Sequence, residues 1–109
     1  MKDDRYFLEL SCESAARIGR HISGLDYEHF LADEKTQDAT VMQLQVMGEL
    51  AKRVSKDTQK SIDLNWKNMA GMRDVISHEY DIIDLDIVWK TANENVPEVF
   101  QKVAAFLGK

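Results

Sequence analysis

The 109-residue chain has few of the residues that cross-link, bend or anchor a protein. It has a single cysteine, Cys12, which excludes a disulfide within the chain and fits a reducing compartment. No apolar run approaches the length that crosses a membrane, and the charged start at Met1–Arg5 is unlike a signal peptide. We therefore expect a soluble cytoplasmic protein that makes no use of a membrane.

One proline, five glycines and almost no strand-like alternation leave helices as the expected structure. The composition, 44% hydrophobic and 30% charged, is that of a globular protein. A chain of this size removes roughly 65% of its unfolded surface from water, which supports one modest core. We predict an all-α fold, an up-and-down helical bundle in a single domain over residues 1–109.

The net charge of −5 is unevenly spread and argues against broad, nonspecific coating of nucleic acid. Residues 49–73 carry six Lys and Arg against three Asp and Glu, whereas both flanking segments are acidic. A local basic segment can hold a phosphate backbone at one place. It is equally typical of a solvated helix face with a basic C-terminal end, and the sequence leaves both interpretations open.

Capping residues and apolar spacing indicate where the helices lie. Asp26, Asn65 and Asp84 are each placed to cap a following helix, and Pro97 suits the first turn of the last one. We expect helices at about Asp3–His21, Tyr27–Leu31, Lys35–Val54 and Trp66–Glu79, then one after Asp84 and one from Pro97.

The predicted helix at Lys35–Val54 is apolar on two sides. The first stripe consists of Ala39, Met42, Val46, Leu50 and Val54, and the second stripe of Val41, Leu44, Met47 and Ala51. A surface helix needs one stripe, so this helix is central or has one side covered by a second copy of the chain. We expect a homodimer through the second stripe. Glu49 borders the first stripe, and its carboxylate should have a basic partner or lie at a site.

The segment from Gly71 to Tyr80 concentrates polar chemistry in the predicted third long helix. Asp74 and His78 are four residues apart, so on a helix the carboxylate can orient the imidazole. Arg73 and Ser77 have the same spacing on the adjoining strip. An arginine can bind a phosphate through two hydrogen bonds, and a histidine can move a proton near neutral pH. Such clusters also form structural networks, so the residues alone leave a site and a structural role open.

Arg73 and His78 are five residues apart, which separates them by about 140° around an ideal helix. One chain would therefore make only a loose site. A two-fold axis beside this helix would bring two arginines and two histidines around a shared cleft. Cys12 and the scattered histidines form no pattern of metal ligands, so we expect neither a metal site nor a cofactor.

The spacing Arg73-x4-His78-x-Tyr80 resembles the signature of the HepT-like HEPN toxins, and the likeness extends over nearly the whole chain. One departure is Leu50, where the family commonly has alanine. Further stretches that resemble the family are Tyr27-x-x-Phe30-Leu31, Lys35-Thr36-Gln37-Asp38-Ala39, Met47-Gly48-Glu49-Leu50-Ala51-Lys52, Trp66-Lys67-x-Met69-Ala70-Gly71-Met72-Arg73-Asp74, Tyr80-x5-Asp86-x2-Trp89 and Val96-Pro97.

This resemblance implies a HEPN domain that acts as a metal-independent endoribonuclease toxin of a type II or type VII-like toxin–antitoxin system. Arg73 and His78 of both protomers would be catalytic at the dimer cleft, with Asp74, Ser77 and Glu49 in support. The implied partner is a minimal nucleotidyltransferase antitoxin that transfers AMP to Tyr80. The target RNA, its cleavage preference and the stoichiometry with the antitoxin do not follow from the sequence.

Two alternatives stay open at this point. The chain could be a non-catalytic subunit that only completes the substrate-binding site of the nucleotidyltransferase. It could also be a helical adaptor with no nucleotide role, in which the polar cluster is structural. The intact pair of Arg73 and His78 favours the ribonuclease, because a scaffold needs neither side chain.

Overall fold

The computed structural model describes residues 3–74, 76–77 and 82–109, with the backbone alone at positions 74, 76, 77 and 82. Helices account for most of this part of the chain, as the sequence predicts. The elements in order are α1 (Asp4–Ile22), α2 (Tyr27–Leu31), α3 (Glu34–Arg53), α4 (Lys56–Ser61), α5 (Trp66–Ala70), a 3-10 turn (Gly71–Asp74), β1 (Ile76–Ser77), β2 (Ile82–Ile83), α6 (Leu85–Lys90), a π-helical turn (Thr91–Asn95) and α7 (Val96–Phe106).

Short polar side chains start the helices where the sequence indicates. The carboxylate of Asp26 accepts a hydrogen bond from the His29 N–H, and that of Asp84 accepts one from the Ile87 N–H. Asn65 caps α5 in the same way. Each cap satisfies a backbone donor that the first helical turn leaves without a partner.

Helix α3 lies at the centre of the bundle. It packs against α1, α2, α5, the 3-10 turn and α6, while α1 also packs against α7. The core between them is built from large apolar side chains that are fully buried, among them Leu8, Ile18, Phe30, Leu44, Met47, Val88 and Val103. The Phe30 and Trp89 rings are in contact, with centroids 4.9 Å apart. Of the two explanations for a helix with two apolar stripes, the central position is therefore the one observed.

The second stripe of α3 is not the exposed one, so the prediction that dimerisation uses it is wrong. Val41, Leu44, Met47 and Ala51 are each at most 4% exposed and belong to the core of the single chain. The first stripe is only partly covered: Leu50 and Val54 are buried, whereas Met42 is 62% exposed. The exposed apolar surface of α3 is thus on a different side of the helix from the second stripe.

The predicted helix at Trp66–Glu79 is also wrong at Gly71–Asp74 and Ile76–Ser77, and its last two positions lie outside the described residues. Helix α5 ends at Ala70, the chain tightens into the 3-10 turn, and Ile76–Ser77 then forms a strand. This strand pairs antiparallel with β2, Ile76 opposite Ile83 and Ser77 opposite Ile82. β-branched residues such as Ile76, Ile82 and Ile83 favour extended backbone. The strand with which β1 pairs, β2, lies beyond the end of the predicted helix. The spacing of apolar residues within that helix therefore gives no sign of the pairing.

The helices after β2 follow one another without a break. Backbone angles at Thr91 and Val96 are helical, so α6, the π-helical turn and α7 form one run from Leu85 to Phe106. Pro97 lies in the first turn of α7, as the sequence predicts, although helical backbone continues on its N-terminal side. Proline lacks an N–H and clashes with the carbonyl four residues earlier. The carbonyl four residues before Pro97 belongs to Asn93, which lies in the wider π-helical turn.

Among the residues that the structure describes, no helix has both the length and the apolar character of a membrane-crossing segment.

Candidate functional site

Arg73 is held by a short, well-anchored segment. The Trp66 indole N–H donates to the Ile62 carbonyl, which ties the start of α5 to the preceding turn. Met69 and Met72 are 2% and 5% exposed, so both sides of the junction between α5 and the 3-10 turn are inserted into the core. With its neighbour Met72 buried, the Arg73 backbone has little freedom, and its side chain reaches outward from a fixed base.

The guanidinium of Arg73 forms an ion pair with Glu49 on α3. Arg73 Nη1 donates to Glu49 Oε1 at 2.8 Å, and the two side chains are 44% and 53% exposed. The hydrogen bond from Arg73, helped by the nearby charge of Lys52, lowers the pKa of the Glu49 carboxyl below its ordinary value. The expectation that Glu49 has a basic partner is confirmed. An exposed pair of this kind adds little to stability.

Gly48, the residue before Glu49, lies where α3 and the 3-10 turn pack closely together. It is buried, and a Cβ atom placed on it would be 2.9 Å from the Arg73 backbone nitrogen and 3.0 Å from the Ala70 carbonyl oxygen. Sequence reasoning did not assign Gly48 a role. The sequence feature that could have pointed to Gly48 is a glycine inside a strongly apolar helix. Glycine is unfavourable there, so its presence indicates that another part of the backbone packs closely against it.

The remaining predicted site residues are only partly described. Asp74 ends the 3-10 turn and Ser77 lies in β1, whereas His78 and Tyr80 lie outside the described residues. Because Ile76–Ser77 is extended, the prediction that Arg73 and Ser77 lie one helical turn apart is wrong, and the predicted helical spacing of Asp74 and His78 loses its basis. The 140° separation of Arg73 and His78 loses its basis for the same reason. Of the predicted residues, the structure brings together Arg73 and Glu49.

An open groove runs along the outer side of α3, between this helix and α1. It has a volume of about 500 Å³ and combines an apolar floor with a charged rim. We call it the α1–α3 groove; its lining residues include Tyr6, Phe7, Met42, Val46, Glu49 and Arg53. Arg53 lies over the Phe7 ring, 5.9 Å from its centroid. Because Glu49 belongs both to this groove and to the ion pair with Arg73, the apolar surface and the candidate site are continuous.

The six cations of the basic segment are all exposed: Lys52, Arg53, Lys56, Lys60, Lys67 and Arg73. They are therefore available to solvent or to a polyanion. Their exposure is compatible with a segment that binds phosphate and equally with a solvated helix face. Among these six cations, Arg73 is the one that belongs to the motif Arg73-x4-His78-x-Tyr80. Within the described ranges 3–74, 76–77 and 82–109, no three His, Cys, Asp or Glu side chains come close enough to share a metal ion.

Comparison with known proteins supplies the family. Residues 11–106 match the family model described as "Ribonuclease HepT-like", a span that includes Glu49, Arg73, His78 and Tyr80. The chain is 32% identical over 110 residues to "Putative RNase TTE0752" of Caldanaerobacter subterraneus subsp. tengcongensis, covering 100% of this chain and 98% of that protein.

Two archaeal proteins are similar in the same way. "Probable ribonuclease HepT" of Thermococcus cleftensis is 33% identical over 94 residues, covering 85% of this chain and 86% of that protein. "Putative RNase MJ0127" of Methanocaldococcus jannaschii is 33% identical over 103 residues, covering 94% and 85%. No solved structure matches the chain significantly. The chain belongs to the HepT-like ribonuclease family.

Proposed function

We propose that residues 1–109 form a single HEPN domain that cleaves RNA without a metal ion and acts as a cytoplasmic toxin. The observation that carries the proposal is the anchored Arg73 guanidinium, exposed beside Glu49 in a chain of the HepT-like ribonuclease family. The guanidinium would bind the scissile phosphate and stabilise the negative charge that develops on it. Of the three motif residues Arg73, His78 and Tyr80, Arg73 is the one whose side-chain contacts the structure describes.

His78 would supply the proton transfer. In this proposal its neutral imidazole takes the proton from the ribose 2′-hydroxyl, and the 2′-oxygen attacks the neighbouring phosphorus. The bond from phosphorus to the 5′-oxygen breaks, which leaves a 2′,3′-cyclic phosphate, and the 5′-oxygen takes up a proton from water. Asp74 and Ser77 would assist, Asp74 by orienting His78 and Ser77 by a hydrogen bond to phosphate. Glu49 would hold Arg73 through the 2.8 Å contact until RNA phosphate competes for the guanidinium.

We further propose that a second copy of the chain covers the α1–α3 groove. Tyr6 and Met42 on its lining are 43% and 62% exposed, although both side chains are largely apolar. Glu49 links this groove to Arg73, so a copy seated there would bring its own site beside the first. The homodimer cleft would then contain Arg73 and His78 of both protomers, as the family resemblance implies.

Alanine variants of Arg73 and His78 test the catalytic proposal. Each should lower the rate of RNA cleavage about 10²–10⁴-fold, because each loses a group that acts on the reacting atoms. The midpoint of thermal unfolding should hardly change for Arg73→Ala, since the ion pair that it removes is exposed. Cleavage by the parent should persist in a chelator.

Arg17→Ala is the matched control for the arginine. Arg17 is 50% exposed and pairs with Glu13 at 3.3 Å, so its removal costs a similar ion pair away from the site. Unchanged cleavage by both Arg73→Ala and His78→Ala would refute the ribonuclease proposal and leave the non-catalytic subunit of a nucleotidyltransferase as the better explanation. Expression in a bacterial host should agree with the cleavage rates. The parent and Arg17→Ala should arrest growth, whereas Arg73→Ala and His78→Ala should not.

Tyr80 is proposed as the regulatory residue and not as a catalytic group. A phenol has an ordinary pKa near 10, too high for a base at neutral pH. The proposed antitoxin, a minimal nucleotidyltransferase, would transfer AMP from ATP to the Tyr80 oxygen and release pyrophosphate. The added phosphate is negatively charged and would compete with RNA for the guanidinium of Arg73.

Intact mass after incubation with the cognate nucleotidyltransferase and ATP tests this regulation. The parent chain should gain the mass of one or more AMP groups and lose cleavage activity, while Tyr80→Phe should keep both its mass and its activity. Tyr27→Phe, which removes a hydroxyl from a ring packed near Trp89, should behave like the parent. A parent chain that is neutralised without any gain in mass would show that the partner acts by binding alone.

A further inference from the structure

Gly48 occupies an unusual place for a glycine. It lies within the twenty-residue helix α3, is buried, and precedes the Glu49 that contacts Arg73. Glycine inside a helix is less favourable than alanine, because it loses more conformational freedom on folding. Helix α1 contains a similar residue, Gly19, so the two positions can be compared directly.

The space around these two glycines differs. A Cβ atom on Gly19 would have no heavy atom within 4 Å. A Cβ atom on Gly48 would lie 2.9 Å from the Arg73 nitrogen, 3.0 Å from the Ala70 oxygen and 3.1 Å from the Arg73 Cβ. The first two are backbone atoms, which cannot rotate away as the end of a long side chain can. A side chain at Gly48 therefore displaces the 3-10 turn itself.

We propose that Gly48 is a positioning residue for Arg73. Its missing side chain lets the 3-10 turn lie directly on α3, which fixes where the guanidinium starts and keeps it within reach of Glu49 at 2.8 Å. This inference rests on the proposed function, in which Arg73 binds the scissile phosphate. Gly48 touches neither RNA nor the reacting atoms and acts only through the position of the Arg73 backbone.

The substitution Gly48→Ala tests the proposal, with Gly19→Ala as the matched control. A misplacement of about 1 Å can cost about 10²-fold in rate, so we expect a loss of kcat of that order in Gly48→Ala and none in Gly19→Ala. The NMR signal of the Arg73 side-chain Nε–H group, identified by its absence in Arg73→Ala, should shift in Gly48→Ala alone. A purely structural role would lower the amount of folded protein without moving this signal in the folded fraction.

Stability is controlled with the double variant Gly19→Ala/Gly48→Ala, because alanine at the open Gly19 position favours α1 and supports the folded state. A folded double variant with low kcat and a shifted Arg73 signal supports the inference. A folded double variant that cleaves RNA like Gly19→Ala overturns it. An unfolded double variant also overturns it, because Gly48 would then be required for the fold itself.

The Arg73→Ala variant separates this inference from the proposed function. If Arg73→Ala cleaves RNA at the parental rate, the proposed catalytic role of Arg73 fails, whatever Gly48→Ala does. If Arg73→Ala is inactive and Gly48→Ala is fully active, only the positioning role of Gly48 fails.

Discussion

The two apolar stripes of α3 are similar in sequence but meet different surroundings. In the second stripe, Leu44 and Met47 are completely buried in the core of the chain. In the first stripe, Met42 is 62% exposed and borders the α1–α3 groove. The comparison shows that spacing identifies an apolar side of a helix but not what covers it. One side builds the core of the chain, and the other leaves an apolar surface that ends at Glu49 and Arg73.

Truncation of one residue in each stripe should show the largest difference. Leu44→Ala removes a fully buried side chain and should lower the free energy of unfolding by about 2–5 kcal/mol. Met42→Ala removes a mostly exposed one and should change it by no more than about 0.5 kcal/mol at a concentration where the chain is monomeric. Urea unfolding of both variants is the measurement. Equal losses would mean that the two stripes are buried alike.

A charge at Met42 should separate the proposed dimer without unfolding the chain. Met42→Asp places a carboxylate in an apolar interface, and we expect the dissociation constant of the dimer to rise at least ~10-fold. Sedimentation velocity over a range of concentrations measures this. Leu31→Asp, at another exposed apolar side chain on α2, should leave the dimer intact. A parent chain that stays monomeric at micromolar concentration would remove the proposed second copy.

A smaller effect on stability should appear at Asp4, which ties the start of α1 to the segment that follows α3. Its carboxylate accepts hydrogen bonds from the Ser55 backbone N–H and from the Ser55 and Thr58 hydroxyls. The hydrogen bond from the Ser55 hydroxyl, followed by that from Thr58, lowers the pKa of Asp4 from its ordinary value of 3.8. The contribution of Asp4 to stability is therefore fully present above pH 3.8 and is lost as the pH falls through the lowered pKa.

Unfolding free energies measured between neutral pH and about pH 2 should show this loss in the parent chain. Asp4→Asn should already lack the contribution at neutral pH, so its stability should fall less steeply in the acid range. Asp57→Asn, at an exposed carboxylate of α4, serves as the control and should follow the parent. Identical acid profiles for the parent and Asp4→Asn would show that the carboxylate does not stabilise the contact between α1 and α4.

Much of the fold could be predicted from the sequence because helices depend on local signals. The caps at Asp26, Asn65 and Asp84 are short-range features, and the structure confirms all three. The strand at Ile76–Ser77 could not be predicted in this way, because it depends on a pairing with Ile82–Ile83. The burial of the second stripe depends on which elements pack against that side of α3, and the spacing within α3 does not encode this.

In the candidate site, too, some features could be predicted from the sequence and others depend on contacts between distant residues. A basic partner for Glu49 is predicted from its place beside an apolar stripe, and the structure shows one, although the exposed carboxylate does not need it for stability. The identity of that partner, Arg73, depends on how the 3-10 turn packs on α3 at Gly48. That contact joins residues far apart in the chain, and only the folded arrangement reveals it.

The rate of RNA cleavage per chain, compared between the parent and Met42→Asp, tests the central claim most directly. The claim is that a second copy on the exposed side of α3 completes the site around Arg73. We predict that the parental rate per chain rises with concentration in step with the dimer fraction, and that folded, monomeric Met42→Asp cleaves at most about one hundredth as fast. A monomeric Met42→Asp that cleaves RNA as fast as the parent would contradict the claim.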